Sequence, residues 1–169
     1  PDVAATRIEL FGMRGSRSRI STPAGEAELE LPLPGLYNVY NALAAAALCT
    51  ALGVGIEDVA EGLRTVAPAF GRAETLDLGG RPTSILLVKN PAGANEVLRT
   101  LTLEGRELDV FGVLNDRTAD GRDVSWVWDA DFELLDGAVR RVVCAGTRAP
   151  ELAVRWQCRL VHLPANPRQ

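Results

Sequence analysis

The stretch from Asp109 to Asp136, DVFGVLNDRTADGRDVSWVWDADFELLD, decides how the chain is read. Its opening, Asp109-Val110-Phe111-Gly112-Val113-Leu114, is an apolar run of the length of a buried strand. The run breaks at Asn115-Asp116 into a polar segment in which Gly121 supplies a turn. From Phe111 onward the segment holds seven of the chain's 22 acids and two of its three tryptophans. In an open α/β sheet the ligand crevice lies beyond the carboxyl ends of the strands, so Asp116, Asp120, Asp123 and Asp129 sit where function is usually found. A solvated acidic loop over packed tryptophan rings is the alternative at this point.

Towards the C-terminus the pattern predicts a helix from Asp131 to Leu135 and a strand Arg141 to Ala145. A helix opened by Gly146-Thr147-Arg148-Ala149-Pro150 follows, then a last strand Leu160 to Leu163. Towards the N-terminus, Ser84 to Val88 is apolar at successive positions and reads as a central strand of a parallel sheet. It ends at Lys89-Asn90-Pro91, before a helix Ala94 to Leu101. Strands alternating with helices from Ser84 onward predict a doubly wound α/β domain with right-handed crossovers. Its boundary falls near Phe70.

Before that boundary, Thr6 to Gly12 alternates like a strand, and Ile20 to Leu33 predicts a β-hairpin about Thr22-Pro23-Ala24-Gly25. The alanine- and leucine-rich run Ala42 to Leu52 is a helix, capped by Asn38 or Asn41 and stopped by Gly53. A second helix, Ile56 to Thr65, carries Glu57 and Asp58 in its first turn, where acids suit the helix dipole.

With 169 residues, 47% hydrophobic and 24% charged, the chain has an ordinary globular composition and is long enough for a real core. A net charge of −4 without any basic block excludes a nucleic-acid backbone as partner. The longest apolar run, Ala42 to Ala51, is too short for a transmembrane span. Three cysteines without C-x-x-C spacing fit reduced thiols and a cytoplasmic protein. Among the 18 basic residues the single lysine, Lys89, is a candidate for a role that needs a compact point charge. No phosphate-binding G-x-x-x-x-G-K-[ST] loop, G-x-S-x-G elbow or H-E-x-x-H motif occurs. The only histidine, His162, cannot by itself furnish a histidine-based metal site, and none is expected.

Three motifs in order then carry a resemblance. Leu36-Tyr37-Asn38-Val39-Tyr40-Asn41-Ala42-Leu43-Ala44-Ala45 resembles the G-x-H-N-x-x-N-A-x-A-A stretch that closes the central ATP-binding domain of Mur ligases and folylpolyglutamate synthetases. Gly71-Arg72-Ala73-Glu74 is similar to their G-R-x-E hinge, and Val88-Lys89-Asn90-Pro91 stands where they have D-x-A-H-N-P. The run Lys89 to Gly93, followed by Asn115-Asp116, Ala119 to Asp123 and Ser125 to Asp129, resembles the MurT subfamily, the synthetase subunits of lipid II isoglutaminyl synthase.

The resemblance implies an α/β chain: residues 1–70 end a Mur-ligase central ATPase domain with a hairpin and two helices, and residues 71–169 form a Rossmann-like C-terminal domain with a mainly parallel sheet. It implies ATP-dependent amidation of the D-glutamate α-carboxyl of lipid II through an acyl-phosphate. The ammonia would come from a GatD-type glutaminase partner, at the inner face of the membrane. ATP and magnesium are the implied cofactors, with zinc in a four-cysteine ribbon that such proteins carry, like their P-loop, upstream of the position of Pro1. On that ground the chain is expected to be a fragment that does not turn over alone, one that stops short of the family's last strands and lacks residues near Trp156.

Asn41 is carried over as the adenine contact, with Asn38 beside it, and Arg72 as a phosphate contact. Lys89 and Asn90 would face the nucleotide, Lys89 stabilising the acyl-phosphate and its transition-state charge. Each has a plain structural alternative: helix caps for the asparagines, an ion pair with Glu74 for Arg72, and a solvated strand end for Lys89. The acidic loop is expected to serve the glutaminase, with Asp123 orienting the imidazole of the partner's Cys-His pair and Asp116 and Asp120 as runners-up. Trp126 and Trp128 would share a face if extended, one of them in the core. Two other readings stay open: an amino-acid-adding Mur or folylpolyglutamate-type ligase, which lacks support because D-x-A-H and D-N-P-R are both missing, and a non-catalytic Rossmann-like binding module.

Overall fold

A computed structural model describes residues 2–68, 72–105, 107–118 and 121–156. The proposed strand Leu160 to Leu163, His162, Asp120, Gly71 and the boundary residue Phe70 lie outside the described residues. The backbone divides into two compact units, one of Pro1–Val88 with Glu96–Glu104, the other of Lys89–Asn95 with Gly105–Gln169.

In the first unit, β1 (Ala4–Leu10), β2 (Ser16–Thr22) and β3 (Gly25–Leu31) form an antiparallel sheet in chain order. The turn predicted at Thr22 to Gly25 closes β2 on β3, with Thr22 opposite Gly25. Alternation does the rest. Arg17 and Arg19 pair with Glu30 and Glu28 on the exposed face, while Ile20, Leu29 and Leu31 turn inward at 0–3% exposure. Two helices, α1 (Leu36–Ala51) and α2 (Ile56–Arg64), complete this core through Ala46 and Ala60, both fully buried. Alanines at these positions let backbones approach closely.

The helix α1 starts earlier than its composition predicts. Gly35, at φ 86°, is its N-cap, so Asn38 and Asn41 lie inside the helix and cap nothing. The positive φ at Gly35 is one that glycine adopts without strain. The Asn38 side chain instead donates Nδ2 to the Pro34 carbonyl at 2.8 Å.

The hairpin β4 (Arg72–Asp77) and β5 (Pro82–Leu86) is antiparallel, which corrects the parallel placement expected for the 84–88 run. The Gly79-Gly80 turn between the two strands dictates that pairing, with Leu78 N–H bonded to the Arg81 carbonyl. Ile85 and Leu87 are 42% and 53% exposed, so the apolar run reflects no two-sided burial among the described residues.

The second unit holds the parallel pair β6 (Leu108–Val113) and β7 (Val139–Ala145) and the helix α4 (Ala149–Trp156). The helix α3 (Pro91–Thr102) contributes its first turn here and its remainder to the first unit. It begins three residues earlier than predicted because Pro91 occupies the first helical position and Asn90 caps it, Gly93 N–H to Asn90 Oδ1 being 2.7 Å. Glycine 112 explains how α4 sits: a Cβ there would lie 2.9 Å from Leu152 Cδ2. The other face of β6 is open among the described residues, with Phe111 62% and Val113 55% exposed, so this strand is covered on one side and not on both.

Between β6 and β7 the chain makes two 3-10 turns, Ser125–Asp129 and Phe132–Leu135, the second in place of the predicted α-helix. In the first, three residues per turn send Val127 inward at 1% exposure and leave Trp128 54% exposed and Trp126 half-buried. The tryptophans therefore do not share a face as they would in a strand. The indole of Trp156 packs on Phe132, ring centroids 4.5 Å apart.

Candidate functional site

The site grows out of the carboxyl ends of the two parallel strands. Leu114 N–H bonds to the Ala145 carbonyl at 3.0 Å, and Arg148 N–H returns to the Leu114 carbonyl at 3.0 Å, so both chains leave the sheet locked together. Gly146, at φ 98°, makes the crossing possible: a Cβ there would meet Leu114 O at 2.2 Å. Asn115 Oδ1 accepts the Thr147 N–H at 3.0 Å, and Asp116 Oδ1 accepts the Thr147 hydroxyl at 2.8 Å. Asp116 Oδ2 faces Arg148 Nη1 at 3.3 Å, and the same guanidinium holds Glu151 at 2.5 Å. The Thr147 hydroxyl, then Arg148, keep the Asp116 carboxyl below its ordinary value, and Arg148 does the same for Glu151. Asp116 is thus absorbed into the corner that ties β6 to β7.

Asp123 is placed otherwise. It is exposed, and its Oδ1 accepts the Ser125 N–H at 2.8 Å, opening the first 3-10 turn. Hydrogen bonding from the Ser125 side chain, and next from its amide, holds this carboxyl below the usual range, so it is ionised at neutral pH. Val124, at 7% exposure, and Val127, at 1%, anchor the turn beneath it. The result is a carboxylate presented to solvent from a pinned backbone. Asp129 is exposed at the end of the same turn.

The other side of the loop is clamped. Arg155 of α4, only 12% exposed at its side chain, donates to the Ala130 carbonyl and forks onto Glu133 at 2.5 and 2.8 Å. Its hydrogen bonds draw the Glu133 carboxyl down to about 2. Asn95 of α3 reaches Asp131 through two further bonds. Thr147, Arg148, Arg155 and Asn95 were not singled out as site residues by the sequence, because their role rests on partners 22 to 36 positions away. The one legible signal was Gly146-Thr147-Arg148 at a strand end, matching Asn115-Asp116 at the other.

Lys89 and Asn90 are exposed between β5 and α3, with Asn90 Oδ1 engaged as the helix cap. Asn41 is exposed and donates Nδ2 to Asn38 Oδ1 at 3.2 Å, so the Asn38 amide is used at both ends while Asn41 offers the more accessible group. Arg72 lies in β4 opposite Leu86, at an irregularity of the hairpin register. Among the described residues no three acids, cysteines or histidines group as a metal site, and no helix is long and apolar enough to cross a membrane.

Comparison with known proteins fits this geometry. The structure superimposes on MurF from Acinetobacter baumannii with a TM-score of 0.73 at 28% identity, over 92% of this chain and 34% of that one. The chain belongs to the Mur ligase family. Residues 87–165 match the family described as MurT ligase C-terminal. The chain is 35% identical over 156 residues, 92% of its length, to the lipid II isoglutaminyl synthase (glutamine-hydrolyzing) subunit MurT of Streptococcus pneumoniae. It is 37% identical over 141 residues, 82% of its length, to the subunit of the same name from Staphylococcus aureus. Within the Mur ligases it is therefore a MurT-type member. It spans 34% and 32% of the length of these two relatives.

Proposed function

We propose that this chain is the end of the central domain and most of the C-terminal domain, residues 1–70 and 71–169, of a synthetase subunit that amidates the D-glutamate α-carboxyl of lipid II. The observation that carries the reading is the MurT-type match over residues 87–165, on which the exposed, pinned Asp123 carboxylate falls. The names of the two relatives, synthases that hydrolyse glutamine, support an amidation that draws its ammonia from glutamine. The protein works in the cytoplasm at the inner face of the membrane.

The roles divide between two chemistries. ATP, with magnesium, would supply the phosphoryl group that activates the carboxylate as an acyl-phosphate. Of the residues here, the exposed Asn41 amide fits an adenine edge, which needs one donor and one acceptor. Lys89, an exposed cation, fits a role in neutralising charge on the activated carboxyl, and Arg72 a role on the phosphates. Asn90 and Asn38 fit less well as direct contacts, since Asn90 Oδ1 caps α3 and the Asn38 amide is bonded at both ends. They support the site by shaping the turns that present Lys89 and Asn41.

Ammonia would come from a GatD-type glutaminase subunit, whose Cys-His pair takes its third member from this chain. Asp123 is that member: an ionised carboxylate orients an imidazole and stabilises the imidazolium formed during acyl transfer. The solvent-facing position of Asp123, against the internal bonding of Asp116, is what favours it.

The test uses the complete subunit assembled with its glutaminase, given lipid II, ATP and isotopically labelled glutamine. Transfer of one labelled nitrogen to lipid II, dependent on ATP, is the expected outcome. If ammonium salts with ATP also give no amidated lipid II, the synthetase reading fails.

A further inference from the structure

Between its two 3-10 turns the acidic loop passes through Ala130-Asp131, and this joint is held from two sides. From α4, Arg155 donates to the Ala130 carbonyl, forks onto Glu133 and lies over the Phe132 ring, 5.2 Å from its centroid. From α3, the Asn95 carboxamide closes a reciprocal pair: Oδ1 accepts the Asp131 N–H at 2.7 Å, and Nδ2 donates to Asp131 Oδ2 at 2.9 Å. The two grips differ in kind. Arg155 is nearly buried and part of the packing, whereas Asp131 is exposed and Asn95 half-exposed. An exposed polar pair adds little to stability, because water serves either partner almost as well once it is broken. Its consequence is geometric: two antiparallel bonds between the same two residues remove the rotation that one bond leaves free.

The clip lies a short, stiff path from Asp123. Residues 124–130 include three positions buried to 7% exposure or less, Val124, Val127 and Ala130, and Val127 N–H bonds to the Val124 carbonyl at 3.1 Å. A displacement at Ala130-Asp131 is carried by this turn to the residue that opens it, instead of being absorbed by a loose loop. An acid that must orient an imidazole on another chain has to be held to about 0.5 Å, and a misplacement of about 1 Å costs on the order of 10²-fold in rate.

We propose that Asn95 and Asp131 are positioning residues for the glutaminase reaction, forming the clip that sets the angle at which the 123–129 turn presents the Asp123 carboxylate to the partner. This rests on the reading of Asp123 given above. The clip also fixes the acidic loop to the first turn of α3, directly after Lys89 and Asn90, so one helix carries the reference point for both chemistries.

The chemistry of the pair offers its own test. Asn95→Asp sets two carboxylates against each other at the 2.9 Å contact, whereas adding Asp131→Asn restores a donor to face the new acceptor and keeps the backbone bond. Asp131→Asn alone still accepts from Asn95 Nδ2 and is expected to be mild. In the complete subunit with its glutaminase, Asn95→Asp is expected to slow glutamine hydrolysis about tenfold or more, with ammonium-driven amidation within about twofold of the parent. The exchanged pair is expected to recover most of the lost glutaminase rate, with little movement in melting temperature in any of the three. The proposal is overturned if Asn95→Asp leaves glutamine hydrolysis unchanged while Asp123→Asn abolishes it. It is equally overturned if both activities fall together and the exchange restores neither. Should Asp123→Asn itself leave hydrolysis intact, the reading of Asp123 fails and the clip's role falls with it.

Discussion

Asp116 and Asp123 belong to one acidic segment and are both drawn below the ordinary aspartate range by hydrogen bonds, yet they are built for opposite ends. Asp116 is bonded to Thr147 and Arg148, more than 30 positions away, so its carboxylate is part of what joins the ends of β6 and β7. Asp123 is bonded to Ser125, two positions away, which fixes its direction while leaving the carboxylate in solvent. A lowered pKa therefore does not distinguish a structural acid from a presented one. The sequence distance of the partner does.

The largest effect that sharpens this contrast is expected for Asp123→Asn in the assembled enzyme. Glutamine hydrolysis should fall by about 10³- to 10⁴-fold, since an amide neither stabilises an imidazolium nor fixes its tautomer as a carboxylate does. Subunit association and ammonium-driven amidation should persist. Parallel glutaminase and ammonium-driven assays decide the matter, and equal loss of both would return Asp123 to the status of a solvated surface acid.

A second, smaller loss belongs to the synthetase half. Lys89→Ala is expected to lower ATP-dependent turnover by about 10²-fold with ammonium as nitrogen source, the scale of removing one charge-stabilising donor. Its melting temperature should stay at the parental value because the side chain is exposed. A variant that melts lower and works normally would make Lys89 structural.

For Asp116→Asn the order reverses. The Thr147 hydroxyl can still find an acceptor, but the ion pair with Arg148 is lost, so thermal unfolding should come measurably earlier while glutamine hydrolysis drops far less than in Asp123→Asn. Circular dichroism melts set beside the glutaminase rates test this, and a variant as inactive as Asp123→Asn with an unchanged melt would erase the contrast.

The smallest effect is one of pH. Glu133 has its carboxyl drawn from 4.5 to about 2 by Arg155, so its contribution is fully present above about 4.5 and is lost as the pH falls through about 2. Glu133→Gln should therefore unfold earlier than the parent at neutral pH and converge with it near pH 2. Melting curves recorded between pH 7 and pH 2 check the sign, and a gap that widens in acid would contradict it. Solvent screening keeps the effect modest, since the Glu133 side chain is 64% exposed.

Local chemistry read along the chain reached a good deal of this molecule. The 22–25 turn, the two helices after it and the strand β6 are all decided by neighbours within a few residues, so propensity and spacing carry them. The order of three short motifs identified the family for the same reason, because a motif is a local pattern. Where local signals competed, the reading slipped: the apolar 84–88 run suggested a parallel strand, but the Gly79-Gly80 turn folds it back on β4. Asn38 has the chemistry of a cap, but Pro34-Gly35 starts the helix first.

The sequence by itself determined which residues could do chemistry, the acids after β6, the lone lysine and the asparagines of α1, because residue type fixes donors, acceptors and charge. Only the tertiary structure decided which of these are spent. Asp116 is taken up by Thr147 and Arg148, and Glu133 by Arg155, because parallel strands bring distant loops to one edge. Asp131 is held by Asn95, and Asp123 is left facing solvent. These outcomes depend on angles and distances of a few ångströms between segments some 20 to 36 residues apart, and no local pattern in the chain encodes them.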